Sequence, residues 1–323
     1  VVSGFSCLKQ KKKMNKNIVV RKIADTFKIV RKSLSHFITN RPVEMAGTTA
    51  YFAIFSMVPI IIIIVAVIGI VTGDEAISEK LFEELSLLVG QENSTVLEKA
   101  IDNYQLSENS LTGTIIGIGF FLISATTLFS SMQSSINFFW RVKPRSNLKM
   151  SLLSLLKSRV LSFGVILSLG FVLLVSLIID AVIAVIKEFL ATQISPDFIF
   201  IAQAANFIVS LAIVSFVIAL IYRYLPDVTV KWSASWFGAI FTAVLFAAGK
   251  LGIGLFIGNS NMGQVYGAAS SIVVILIWIY FASLIFYFGV ELTYQYSKFH
   301  NHNNTPASFA VPFEITQSKS ASK

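Results

Sequence analysis

Charge is scarce in this chain. Only 13% of its 323 residues are Asp, Glu, Lys or Arg, about half the usual share of roughly 25% in a soluble domain, so water covers little of its surface. Cysteine is scarcer still. Cys7 stands alone, which excludes an internal disulfide and any cysteine-based metal site. The three histidines, His36, His300 and His302, lie in the end segments, away from any cluster of carboxylates. The phosphate-cradling GxxxxGK[ST] loop, a GxGxxG opening a soluble βαβ unit and the zinc motif HExxH are all missing. The chain is therefore read as no enzyme, with no catalytic residue, no cofactor and no metal site. Without an ATP site, any transport must run down a gradient, couple to an ion or draw energy from a partner. No cleavable signal peptide is evident, because the basic stretch before the first apolar run is too long. Met14 is a natural place for translation to begin.

What the chain has in abundance is apolar length. Apolar residues make up 55% and the mean hydropathy is +0.74. A helix needs about 20 apolar residues to cross the roughly 30 Å hydrocarbon core of a bilayer. Six segments satisfy this: Thr48 to Val71, Leu111 to Phe139, Val160 to Ile186, Phe198 to Tyr222, Ser233 to Ile257 and Tyr266 to Leu292. The fold expected is all-α, a polytopic bundle of six transmembrane helices occupying 48–292. It lies between a basic segment over 1–47 and a polar tail over 293–323.

Loop charges orient the bundle. Arg141, Lys143, Arg145, Lys149, Lys157 and Arg159 follow the second span with no acid among them, and Arg223 and Lys231 flank the loop after the fourth. The loop over 72–110 instead carries nine acids against Lys80 and Lys99. Basic loops stay inside, so both termini are expected in the cytoplasm and the membrane is expected to be a bacterial inner membrane. The net charge of +9 then reports topology, and nucleic acid is not an expected partner. Membrane lipids are expected partners; an envelope protein and self-association stay open.

Two segments outside the spans are also expected to be helical. Ile23, Phe27, Val30, Leu34, Phe37 and Ile38 recur at helical spacing opposite Arg21, Lys22, Lys28, Arg31 and Lys32. That pattern suits an amphipathic helix on the inner, anionic leaflet, or one packed on other cytoplasmic loops. Outside, Ile77, Leu81, Leu85 and Leu88, then Val96, Ala100, Ile101 and Tyr104, predict a small helical cap. The tail after Lys298 is polar, contains Pro306 and Pro312, and reads as disordered.

Polar residues at membrane depth are costly and so are the candidates for function. Gln133, Asn137 and Arg141 repeat every four residues on one face of the second span, and Gln203, Asn206 and Ser210, three and four apart, share a face of the fourth. Such faces either glue helices together or line a hydrated path. Lys250 falls in the outer half of the fifth span and could pair with Asp180 or snorkel to the interface. Glu44, Arg141, Arg223 and Glu291 fall at similar depth near the inner face, where a ring of charge would form a gate or a clamp. Pro59 should kink the first span.

Several of these residues sit in blocks that carry a resemblance. AGTTAYFAIFSMVP over Ala46–Pro59, QSSINFFW over Gln133–Trp140 and RVKP over Arg141–Pro144 come first. YRYLP over Tyr222–Pro226, Trp232, Gly238, YGA over Tyr266–Ala268, WIY over Trp278–Tyr280 and GVE over Gly289–Glu291 follow in order. With them the chain resembles the YihY/BrkB family of bacterial inner-membrane proteins. The resemblance implies a six-helix bundle with debated transport activity, linked in some members to export of envelope lipid or lipopolysaccharide and in one to serum resistance. It also carries an old ribonuclease BN label, which fits poorly with a chain lacking a His and Asp cluster for catalytic metal. It implies that Asn137, Arg223 and Glu291 are structural or pathway residues. The function expected is a transporter or flippase-like protein for an anionic envelope lipid or another amphiphile. An ion-coupled secondary transporter and a non-transporting scaffold for an envelope partner are the alternatives.

Overall fold

The computed structural model describes Arg21 and residues 24–56, 111–145, 196–258 and 270–314. Helix α1 covers 24–39 and helix α2 begins at 42 and is described to 56. The break between them is encoded locally. Pro42 suits a first helical position, where its missing N–H costs nothing, and it bars the preceding residue from α geometry. Arg41 accordingly turns left-handed, at φ 54°.

Four long helices follow: α3 Leu111–Phe139, α4 Pro196–Tyr224, α5 Trp232–Gly258 and α6 Ser270–Phe299. At 1.5 Å per residue, their 27 to 30 residues exceed the length needed to cross a bilayer. Among the described residues, three stretches are long and apolar enough to span a membrane: Phe207–Tyr224, Trp232–Gly252 and Ile272–Phe299. Their outward rows include Ile208, Val244, Leu251, Leu255 and Ile272, all exposed. So much contiguous apolar surface suits lipid and not water.

Helix α5 packs along both α4 and α6. Two glycines let it approach α6. A Cβ on Gly238 would collide with Thr293 Oγ1 and the Gly289 carbonyl, and one on Gly289 would collide with Thr242 Oγ1 and the Tyr222 hydroxyl. The threonine hydroxyls turn back onto their own helices, Thr242 to the Gly238 carbonyl at 2.7 Å and Thr293 to that of Gly289 at 2.8 Å. Tyr222 reaches across, donating to the Phe286 carbonyl at 2.6 Å. Small residues and hydroxyl bridges are how helices associate where lipid removes the hydrophobic drive.

Burial is concentrated at one end of the bundle. Ile136 and Phe139 near the end of α3, Tyr222 and Leu225 at the end of α4, Ala234 at the start of α5, and Tyr287 and Val290 in α6 form one buried cluster. The α1–α2 break, the ends of α3, α4 and α6 and the start of α5 therefore meet at the same end.

Residues 300–314 of the polar tail fold onto that end, contrary to the disorder expected after Lys298. Helix α6 closes with Asn301 left-handed at φ 48°, and the His302 N–H returns to the Ser297 carbonyl at 2.9 Å, a capping geometry that Asn tolerates. The chain then pairs with Thr229 through Thr305 and donates from Ala307 N–H to the Asp227 carbonyl at 2.9 Å. Finally β2 (Ala310–Pro312) runs antiparallel to β1 (Val142–Pro144), with Lys143 opposite Val311. Phe309 and Ala310 are buried. Polar composition concealed this because the partners are backbone groups more than 70 residues away.

The first span is described only as far as residue 56, so the expected kink at Pro59 lies outside the described residues. The third span and the outer cap lie outside them as well.

Candidate functional site

The polar residues at the buried end fall into two clusters. The first is centred on Asp227, in the turn after α4. Gln133 Nε2 donates to its Oδ1 at 3.0 Å and Asn137 Nδ2 to its Oδ2 at 2.7 Å. The Asp227 N–H donates in return to Asn137 Oδ1 at 2.8 Å. All three residues are buried. The polar face of α3 thus spends its two amides on one carboxylate, joining α3 to the α4–α5 turn. Of the two uses open to that face, this geometry is glue.

The second cluster gathers around Glu291, which is fully buried. Gln295 Nε2, one turn along α6, donates to Glu291 Oε1 at 2.7 Å. Asn40 Nδ2, at the α1–α2 break, reaches Oε2 at 3.4 Å. Arg141 Nη2 donates to Asn40 Oδ1 at 2.7 Å, so Asn40 stands between the guanidinium and the carboxylate. Arg141 is itself left-handed at φ 57°, a conformation that costs a non-glycine residue about 1–2 kcal/mol. Its Nη1 and the Gln295 Oε1 are buried without a hydrogen-bond partner among the described residues. This cluster keeps unused bonding capacity, whereas the Asp227 cluster is knitted shut. Alongside it, Thr49 of α2 and Tyr287 of α6 share a hydroxyl hydrogen bond at 2.6 Å.

The four-charge ring expected near this face does not form. Arg141 and Glu291 come together, but Glu44 and Arg223 are engaged elsewhere. Glu44 lies in the first turn of α2, where a carboxylate suits the helix dipole, and reaches back to exposed Arg41 at 3.4 Å. Arg223 donates to the Val230 carbonyl and lies over the Trp232 ring, 4.7 Å from its centroid. It closes the α4–α5 hairpin.

The other candidates separate. Lys250 is exposed on α5, far along the helix from the polar end. Asp180, its expected partner, lies outside the described residues. Asn206 belongs to the α4 backbone, but its side chain lies outside the described part.

Sequence reasoning missed Asp227, Asn40 and Gln295. Asp227 directly follows the YRYLP block, and the acid-free character of the flanking basic loops was the available signal that this lone acid is not a solvating charge. Asn40 was marked only by its place before Arg41-Pro42. Nearby, His36 is held below its ordinary pKa of 6.5 first by burial, then by the charges of Lys32, Lys298 and Arg141. Positive potential therefore converges between α1 and the end of α6.

Comparison with known proteins places these clusters in a shared framework. The profile of the family described as Virulence factor BrkB matches residues 33–310, from within α1 to the start of β2. A UPF0761 membrane protein of Pseudoalteromonas translucida is 29% identical over 81% of this chain and 83% of its own length. UPF0761 membrane proteins of Acinetobacter baylyi and Pseudomonas aeruginosa are 24% and 26% identical over 85% and 82% of this chain. This chain spans 63% and 62% of those two longer relatives. No solved structure matches. The chain belongs to the YihY/BrkB family of membrane proteins.

Proposed function

We propose that the protein crosses a bacterial inner membrane six times, with both termini in the cytoplasm, and moves an anionic envelope lipid or another amphiphile between leaflets. The observation that carries this reading is the Arg141–Asn40–Glu291–Gln295 cluster. It is a buried, incompletely bonded polar group where four helices meet, at the end of helices whose flanks are apolar and exposed. An amphiphile needs such a junction, because its headgroup must pass polar partners while its chains stay in lipid. The basic loops 141–159 and 223–231 support a cytoplasmic position for this end. Here the cluster acts as a gate. Asn40 lies at a helix break and Arg141 on a strained turn, so a small backbone change withdraws the Asn40 amide that links guanidinium to carboxylate. No chemical step is assigned to it.

Asp227, Gln133 and Asn137 serve this reading as the fixed frame against which the gate moves. A second reading, ion-coupled transport, is favoured by one observation: Glu291 is a fully buried carboxylate whose bonded side chains among the described residues, Asn40 and Gln295, are neutral. Movement of labelled phosphatidylglycerol and phosphatidylcholine in proteoliposomes, with and without a pH gradient, tests both. Faster movement of the anionic probe without a gradient supports the gate. Movement only with a gradient supports ion coupling. No movement above empty liposomes contradicts both.

A further inference from the structure

Beside the gate, α1 and the last turns of α6 enclose a cavity of about 220 Å³ lined by Lys28, Ile29, Lys32, Gln295, Lys298 and Phe299. That is smaller than the roughly 300–1,000 Å³ of pockets that engulf whole drug-sized ligands. Three of its six lining residues are lysines, and none is acidic. Asp25, a turn earlier, lies 4.0 Å from Lys28, which weakens that lysine's pull and leaves Lys32 and Lys298 dominant. Gln295 is 2% exposed. Its amide nitrogen is spent on Glu291, which fixes the side chain and leaves its Oε1 as an acceptor without a partner among the described residues. Two ammonium donors with no acid among the lining residues match the phosphate of an anionic headgroup.

The surroundings match the remainder of such a molecule. Phe299, which lines the cavity, is half exposed. On α1 the residues packed against the bundle fall on the side of Ile29, Ser33 and Phe37, while Phe27, Leu34 and Ile38 form an exposed apolar row on another side. A helix packed on one side and apolar on another lies along a membrane surface with its lysines at headgroup level.

We propose that this cavity binds the phosphate of an anionic phospholipid headgroup, with Lys32 and Lys298 holding the phosphate and the acyl chains leaving past Phe299. The site needs only that this end of the bundle faces the inner leaflet. It does not require that lipid crosses the membrane, so a failed translocation assay leaves it standing.

The test is lipid retention by the full-length protein, measured by native mass spectrometry from micelles doped with phosphatidylglycerol, phosphatidylcholine or both, with inorganic phosphate and glycerol phosphate as soluble competitors. Phosphatidylglycerol is retained in preference to phosphatidylcholine. The Lys32→Ala/Lys298→Ala double variant lowers that retention about tenfold or more, as expected for losing two cations near a lipid surface. A Lys143→Ala/Lys231→Ala pair, which removes equal charge from the same end outside the cavity, leaves it within about twofold of wild type. Gel filtration and thermal unfolding confirm that each variant is folded. Equal loss in both pairs reduces the effect to general surface charge and overturns the proposal. Inorganic phosphate displacing the lipid at equal concentration overturns the lipid assignment in favour of a soluble phosphate site.

Discussion

Asn137 grips Asp227 with both ends of its amide, donating to the carboxylate at 2.7 Å and accepting from the same residue's backbone N–H at 2.8 Å. No other side chain can present a donor and an acceptor in that arrangement at the same length. Replacing Asn137 with Leu leaves a buried carboxylate half-partnered, at a cost of about 3–5 kcal/mol. Replacing it with Asp sets two carboxylates together and is expected to be at least as damaging. Thermal unfolding in detergent measures both, with Gln133→Ala the milder loss because Asn137 still holds Asp227. An Asn137→Leu protein of wild-type stability contradicts this reading of the cluster.

The glycine contact between α5 and α6 makes a sharper demand. Gly238→Ala drives a Cβ into Thr293 and the Gly289 carbonyl, and Gly289→Ala drives one into the Thr242 and Tyr222 hydroxyls; overpacking of this kind costs about 1–3 kcal/mol. Gly252→Ala, where open space surrounds the position, is the control and is expected to be neutral or slightly stabilising. Comparing the three by thermal unfolding decides the matter. The order predicted is Gly252→Ala above wild type or equal to it, and the other two below.

Coupling at the gate separates Arg141 from Arg223. Arg141 and Glu291 share Asn40, so their substitutions should be non-additive by about 0.5–3 kcal/mol. Arg223 is bound to Val230 and Trp232, and its effects should add to those of Glu291 within about 0.5 kcal/mol. Double-mutant cycles on unfolding free energy supply both numbers. Strong coupling of Arg223 with Glu291 would restore the four-charge ring.

The folded tail carries a pH signature. His302 is held below its ordinary pKa of 6.5, first by burial and then by Lys231 and His300. A base whose native pKa is depressed binds fewer protons folded than unfolded. Its stabilising contribution is therefore whole above pH 6.5 and declines as pH falls from there toward the native value. Hydrogen exchange of the β1–β2 backbone should slow less between pH 7 and pH 5.5 than intrinsic exchange chemistry predicts, and this excess should shrink in His302→Gln. Deleting residues 303–323 should lower the unfolding temperature. A disordered tail would leave it unchanged.

The limits of the sequence lie in what is local and what is not. The helix of the expected second span was legible through its end at Phe139, because the largely apolar run gives way there to Trp140 and Arg141. The sixth was read short at Leu292, where α6 continues to Phe299. Thr293, Gln295 and Ser297 look like water-facing residues, yet they are buried against the folded tail and neighbouring helices. Glu291 and Arg141 were legible as candidates because charge at a span's end stands out. Asn40 and Asp227 were not, since a neutral amide beside a helix break and a lone acid in a short loop are ordinary at the surface. Only pairing across 90 to 251 positions distinguishes them. The same distance hides β2, which looks like a polar tail until it meets β1.

The most direct test of the gate is movement of labelled phosphatidylglycerol in proteoliposomes bearing wild type, Arg141→Gln, Glu291→Gln or the double variant, each confirmed folded by gel filtration and unfolding temperature. The account predicts that the wild type moves the anionic probe faster than phosphatidylcholine and that each single substitution changes this rate at least severalfold. The double variant should lie nearer to either single variant than to their product. Equal rates in all four, or no rate above empty liposomes, would contradict it.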